Sequence, residues 1–333
     1  MKIYIYTLLC VISLNFGCKD SSSQVVAESG QMDPQISALT EEIDKNPEKP
    51  SLLFDRASRY YELQNYDLAI LDLKKAIHLD TLNPIYYHLL SDVYLDNYNS
   101  KEAINTMLYA VAMHPDRIPS LLKLAELRYI IEDYDESILT INEIIKLDPL
   151  NAEAFFMLGV NFKALNDIPR ATNAFQRAVE LDTKMTDAWI TLGEIYESKN
   201  DPIAMKYFDS AVLSDPESLQ ALHAKAYYLQ NHHKVPEALA IYKDIILKDR
   251  NYTDAYLNSG VLYMEMDSLQ KAKESFDLMA KVAPTNYMGF FMLGVVYEKL
   301  GQKDIALQNY QSAYHLNGED KKVKEALDRL QQQ

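Results

Sequence analysis

The sequence predicts an all-α chain built from one repeated pair of helices, and three observations carry that prediction. Pro47, Pro115, Pro149, Pro216 and Pro284 are separated by 68, 34, 67 and 68 residues. Gly159, Gly193, Gly260 and Gly294 are separated by 34, 67 and 34, so a second residue type gives the same 34-residue period and the same single-residue deletion. Within each period the bulky residues recur at spacings of three, four and seven, which is the helical repeat.

The first element lies ahead of the repeats. Lys2 is the one charge before Lys19, and the stretch between them is apolar, with Leu8, Leu9, Val11, Ile12 and Leu14. It is too short to span a bilayer and has the form of a secretory signal peptide over residues 1–17. Leu14-Asn15-Phe16-Gly17-Cys18 resembles a bacterial lipobox, although Asn15 stands where an apolar residue is usual. That resemblance implies acylation of Cys18 at the mature N-terminus. Cys10 falls in the removed leader, so the mature chain would keep one cysteine, at its anchored end. Residues 18–33, rich in Ser, Gln and Asp, have no sustained periodicity and are expected to form a flexible tether. Residues 34–49, with Ile36, Leu39 and Ile43 ahead of Asn46-Pro47, are expected to form an N-terminal capping helix.

Eight units follow over residues 50–319, beginning near Pro50, Pro84, Ile118, Ala152, Thr186, Leu219, Thr253 and Tyr287. The first half of each carries a small residue: Ala57, Ser91, Ala125, Gly159, Gly193, Ala226, Gly260, Gly294. A second small column is Ala69, Ala103, Ser137, Ala171, Ala204, Ala238, Ala272 and Ala306, and four residues after each stands a bulky residue, from Leu73 to Tyr310. Small residues in these columns let two helices approach until the bulky neighbours interdigitate. The fifth unit is short at Lys199-Asn200-Asp201-Pro202, where Asp201 is expected to cap and Pro202 to enter the first turn of the next helix. The third unit is the least typical, with Arg128, Ser137 and Ile141 in otherwise conforming columns, so looser packing is expected there. Residues 320–333 place Val323, Ala326, Leu327 and Leu330 on one face and fit a C-terminal capping helix that covers the last unit.

The pattern Trp189, Leu192, Gly193, Tyr196, then Ala204, Phe208, Ala211 and Pro216, resembles the tetratricopeptide repeat family. The resemblance extends over eight units in register. It implies a right-handed α-solenoid of about eight helix-turn-helix units with capping helices, in which the first helices line a concave groove. By the family's geometry the groove is lined by Phe54, His88, Leu122, Phe156, Ile190, His223, Leu257 and Phe291. Six of these eight are apolar, and repeated apolar residues on an open face usually mark an interaction surface. Acidic residues such as Asp92, Glu126, Glu194, Glu197 and Glu298 flank them one or two turns later.

Composition narrows the function classes. With 48 Asp and Glu against 33 Lys and Arg, the formal charge is −15, which argues against nucleic acid and against direct adhesion to anionic lipid. Seven histidines form no HExxH motif and no cysteine–histidine metal set; His232-His233 falls in an inter-helix turn. There is no GxSxG, phosphate loop or GxGxxG. No cofactor, metal or catalytic residue is therefore expected. The expected function is that of a non-catalytic adaptor or scaffold of the bacterial cell envelope, exported and lipid-anchored, on the outer membrane of a Gram-negative organism. Lys19-Asp20 after Cys18 resembles a lipoprotein sorting signal of one such group. The expected partner is an envelope protein segment with apolar anchors and basic residues, and the only membrane contact is the lipid. Two alternatives stand beside it: a self-associating scaffold and, lacking room for a ligand-binding insertion, a carbohydrate-uptake lipoprotein.

Overall fold

The computed structural model describes residues 33–331, which hold eighteen α-helices and no strand. The expected leader over residues 1–17, the expected acylated Cys18 and residues 19–32 of the expected tether lie outside the described residues. No described helix is long and apolar enough to cross a membrane. The chain divides into two compact units, one ending at Thr81 and the other beginning at Leu82.

In the first unit α1 (Pro34–Lys45), α2 (Pro50–Glu62) and α3 (Tyr66–Leu79) pack in sequence. Asp33 is not tether but the N-cap of α1: its carboxylate accepts from the Gln35 and Ile36 amides at 2.9 and 3.1 Å and from Arg59 at 2.6 Å. Ile36 and Ile43 are the buried stripe of α1, Leu52, Leu53 and Ala57 are buried on α2, and Ala69, Leu73 and Ala76 are buried on α3. Arg56, in a column that is leucine in most later units, is bound by both carboxylate oxygens of buried Asp72 at 2.7 and 2.8 Å and donates to Thr40 at 3.0 Å.

The second unit contains seven helix pairs: α4 (Pro84–Asp96) with α5 (Ser100–Met113), α6 (Ile118–Ile130) with α7 (Tyr134–Leu147), α8 (Ala152–Ala164) with α9 (Ile168–Leu181), α10 (Thr186–Ser198) with α11 (Ala204–Ser214), α12 (Leu219–Asn231) with α13 (Val235–Lys248), α14 (Thr253–Glu265) with α15 (Leu269–Val282), and α16 (Tyr287–Lys299) with α17 (Lys303–Leu316). Each second helix also packs on the next first helix, which makes the unit a solenoid. The last helix, α18 (Lys321–Gln331), buries Val323, Ala326, Leu327 and Leu330 and covers α17.

Every first helix is 13 residues long. Local chemistry explains both ends. Pro50 and Pro84 occupy the opening turn, where the missing N–H costs nothing. Asn83, ahead of Pro84, and Asn151, Ser218 and Asn286 cap with their side chains. At the C-terminal ends one residue per pair turns left-handed: Gln64, Tyr98, Glu132, Asn166, Asn200, His233 and Asp267, at φ between 54° and 63°, and then Gly301 at 73°. Around each of them the two backbone bonds of a Schellman motif close, as in Asn99 N–H to Tyr94 C=O at 2.8 Å and Tyr98 N–H to Leu95 C=O at 3.0 Å. This shared turn fixes the angle at which every second helix leaves.

Inside each pair the small column of the first helix faces the bulky column of the second. A Cβ on Gly159, Gly193, Gly260 or Gly294 would come within 2.8 Å of the ring of Phe175, Phe208, Phe276 or Tyr310, respectively. Where the bulky residue is Leu73, Met107 or Ile141, the small one is Ala57, Ser91 or Ala125, and in the sixth pair Ala226 stands opposite the buried ring of Tyr242. The expected looseness of the third pair does not occur: Ala125 and Ile141 are fully buried, and buried Ser137 donates its hydroxyl to the Ala125 carbonyl at 2.8 Å. The short fifth turn also differs from expectation. Helix α11 starts at Ala204 and has 11 residues, so Pro202 lies ahead of it rather than in its first turn, and the Asp201 carboxylate accepts from the Ile203 amide at 3.0 Å.

Candidate interaction groove

The eight predicted groove residues each occupy the fifth position of a first helix. All eight are half-buried rather than exposed, because each leans on a neighbouring helix. Phe54 belongs to the first unit, on α2. The other seven belong to the second unit, which brings five of them together and leaves two aside.

His88, Leu122 and Phe156 line a cleft of about 590 Å³ over α4, α6 and α8, with Pro119, Met157 and Val160 in its wall. Phe156, Ile190 and His223 line a second cleft of about 610 Å³ over α8, α10 and α12, closed by Phe208 and Tyr252. Phe156 is common to both, so they adjoin along the face of the first helices as two parts of one trough, and its ring is held by Phe175 at a centroid distance of 5.7 Å. Leu257 and Phe291 are not part of it. Leu257 packs into the cluster around Phe276, and Phe291 lies against Tyr310 at 5.7 Å.

Polar groups on this face link successive first helices. His88 Nε2 and Ser120 Oγ are 2.9 Å apart, Lys123 binds Asp92 at 2.7 Å, Lys163 binds Glu194 at 3.2 Å, and Asn231 donates to Glu197 at 3.1 Å. Asn258 and His223 Nε2 are 3.1 Å apart. Burial, helped by the nearby Arg117 and Lys123 charges, pushes His88 down to about 4, so it is neutral at pH 7. His223 is pushed down by burial as well, against the opposing pull of Asp254. Burial opposes charge on Lys123, but its bonds to Asp92 and Glu126 outweigh that and keep it an ammonium, while burial raises the Asp92 carboxyl.

The two ends of the trough therefore differ. The α4–α8 end is mainly apolar, and its one cation, Lys123, is already held by two carboxylates at 2.7 and 3.0 Å. The α8–α12 end is lined by Asp187, Glu194 and Glu197, with no lysine or arginine among its lining residues. It also carries three rings: His223 stacks on Tyr227 at 6.3 Å and tilts against Tyr252 at 5.7 Å.

Glu126, Glu194, Glu197 and Tyr227 fall in columns already legible as flanking the groove. Asp187 and Tyr252 do not, since one lies in the first turn of α10 and the other just ahead of α14, outside the periodic columns. Asn161 was also missed, although its signal was present: it interrupts a column that is Val93, Leu127, Ile195, Leu262 and Val296 in five other units, with Arg59 and Tyr228 in the remaining two. It is 1% exposed and donates to the Met157 carbonyl at 2.8 Å.

Among the described residues no group of three or more His, Cys, Asp or Glu is placed to hold a metal ion. The two turn histidines are engaged separately: His232 bonds the Tyr228 carbonyl at 2.9 Å and stacks on its ring at 4.0 Å, while His233 is the left-handed residue of its turn.

With the paired helices and their shared turn established, comparison with known proteins is informative. Residues 253–286 and 289–316 each match a family model described as tetratricopeptide repeat. These two stretches are tetratricopeptide repeats. The tetratricopeptide fold extends well beyond them in solved structures. The C-terminal part of a repeat-containing protein from Cytophaga hutchinsonii superposes with a TM-score of 0.57 at 16% identity, covering 72% of this chain and 99% of that one. In sequence, the chain is 22% identical to anaphase-promoting complex subunit 3 of Schizosaccharomyces pombe, over 84% of its own length and 43% of the relative's. It is 22% identical to the Hsp70-Hsp90 organizing protein of Triticum aestivum, over 75% of its own length and 38% of the relative's. The chain thus spans about two fifths of the length of these two curated relatives.

Proposed function

We propose that this tetratricopeptide protein is a non-catalytic adaptor of the bacterial cell envelope, anchored by lipid on Cys18, that binds a segment of a partner protein in the trough of its first helices. The observation that carries the reading is that the two clefts adjoin at Phe156, which gives a surface long enough for an extended peptide and apolar enough to hold one. The relatives point the same way, one being named as a complex subunit and another as an organizer of Hsp70 and Hsp90. The envelope setting rests on the leader-like residues 1–17 and the lipobox resemblance at Cys18, and the outer-membrane assignment on Lys19-Asp20.

A photo-crosslinking amino acid placed at Ile190 or Leu122 in the native organism is expected to trap a partner that is not trapped from Leu213 or Leu247. Both of these leucines lie on second helices and are 82% and 70% exposed. Trapping from the second helices alone overturns the groove reading and favours self-association or docking through that face, which these two exposed leucines make the second reading. Fractionation of Cys18→Ser is expected to release the protein from membranes; persistent membrane association removes the anchor.

A further inference from the structure

The proposed function leaves the partner's chemistry open, but the two ends of the trough are unlike enough to specify it. At the α8–α12 end the carboxylates of Asp187, Glu194 and Glu197 line the cleft together with apolar Ile190, and the rings of Tyr227 and Tyr252 both lie against His223. Lys163 pairs with Glu194 at 3.2 Å from outside the lining, which leaves Asp187 and Glu197 without a basic partner among the lining residues, and Asp187 is exposed in the first turn of α10. Carboxylates at the rim and aromatic faces in the wall are two attractive elements for one kind of group, a cation on an apolar stem. The other end offers Leu122, Phe156, Met157 and Val160, with Lys123 neutralised in place, and suits an uncharged apolar side chain.

We propose, building on the groove reading above, that the trough takes an extended peptide segment carrying an apolar residue at the α6–α8 cleft and an arginine or lysine at the α10–α12 cleft, five or six residues apart. The spacing follows from the scaffold. The centres of the two clefts are two first-helix steps apart, about 16–20 Å for helices packed at about 8–10 Å, and an extended chain advances about 3.3 Å per residue. The charge of the segment is set by this chain's surplus of carboxylates at one end, and an acidic peptide is rejected there by like-charge repulsion.

Selection of a phage-displayed library of random 12-residue peptides on the full chain tests this. The expected consensus has Leu, Met, Val or Phe five or six positions from Arg or Lys. Asp187→Lys, an exposed substitution, is expected to weaken a selected peptide roughly tenfold and, on reselection, to replace its basic residue by a neutral or acidic one while the apolar residue stays. A consensus without a basic residue, or one that Asp187→Lys leaves unchanged, overturns the basic subsite. If those same peptides crosslink to Ile190, the groove reading survives that failure; if they crosslink only to second helices, both fail.

Discussion

The ring of Phe276 fills the space that a side chain on Gly260 would need, since a Cβ at that position would lie 2.4 Å from its Cε1. The glycine therefore leaves room for this ring where it sits, although the sixth pair seats the buried ring of Tyr242 opposite Ala226. Gly260→Ala is expected to destabilise the protein by about 1–3 kcal/mol through overpacking, reduced by the better helix propensity of alanine. Adding Phe276→Leu, which recreates the Ala57–Leu73 pairing, is expected to recover much of the loss. A double-mutant cycle from chemical denaturation measures the coupling, and additive effects would refute the relationship.

The left-handed turn residue gives a prediction of opposite sign. Tyr98 holds φ at 58° with its side chain 97% exposed, so its backbone strain is not offset by packing. Tyr98→Gly is expected to stabilise by about 0.5–1 kcal/mol after the entropy cost of glycine. Gly301→Ala is the control, because a Cβ there meets nothing within 4 Å, so any loss of stability comes from the backbone alone. Thermal unfolding of both variants should move in opposite directions.

Much of the fold was legible because packing repeats itself. Proline, glycine and alanine columns report the same 34-residue period that α2 to α17 display, and the stripe Val323, Ala326, Leu327, Leu330 read as a cap is the buried face of α18. The Schellman turns were not legible, since seven of the eight left-handed positions carry Gln, Tyr, Glu, Asn, His or Asp and only Gly301 announces itself. Which groove residues share a cleft was also hidden. Leu257 and Leu122 occupy equivalent positions, yet one is absorbed by the Phe276 cluster and the other lines the trough. That difference depends on neighbours one unit away, which no column of the sequence displays.

In the first unit the buried pair Arg56–Asp72 predicts an asymmetry between breaking and replacing. Asp72→Ala leaves the Arg56 charge without its bidentate partner and is expected to cost about 3–5 kcal/mol. Replacing both, as Arg56→Leu with Asp72→Ala, substitutes the leucine found at this column in most later units and is expected to restore stability to near that of the natural protein. Urea unfolding of the single and double variants decides it; equal losses would mean that the pair itself is strongly stabilising.

The burial of His88 makes stability depend on pH with a definite sign. The imidazole, held at about 4 in the folded chain against an ordinary 6.5, binds its proton more readily when unfolded. Its contribution is therefore complete above about pH 6.5 and is lost as pH falls through that value toward 4. The surrounding groups work in both directions: Arg117 and Lys123 oppose the protonated ring, while Asp92, raised by burial, gains relative stability as it protonates. His88→Gln, which keeps a side chain able to bond Ser120, is expected to flatten the fall in Tm between pH 7 and pH 5. The residual slope then belongs to His223, which burial depresses in the same way, and should vanish further in the His88→Gln, His223→Gln double variant. An undiminished slope in that double variant would assign the acid sensitivity to carboxylates instead.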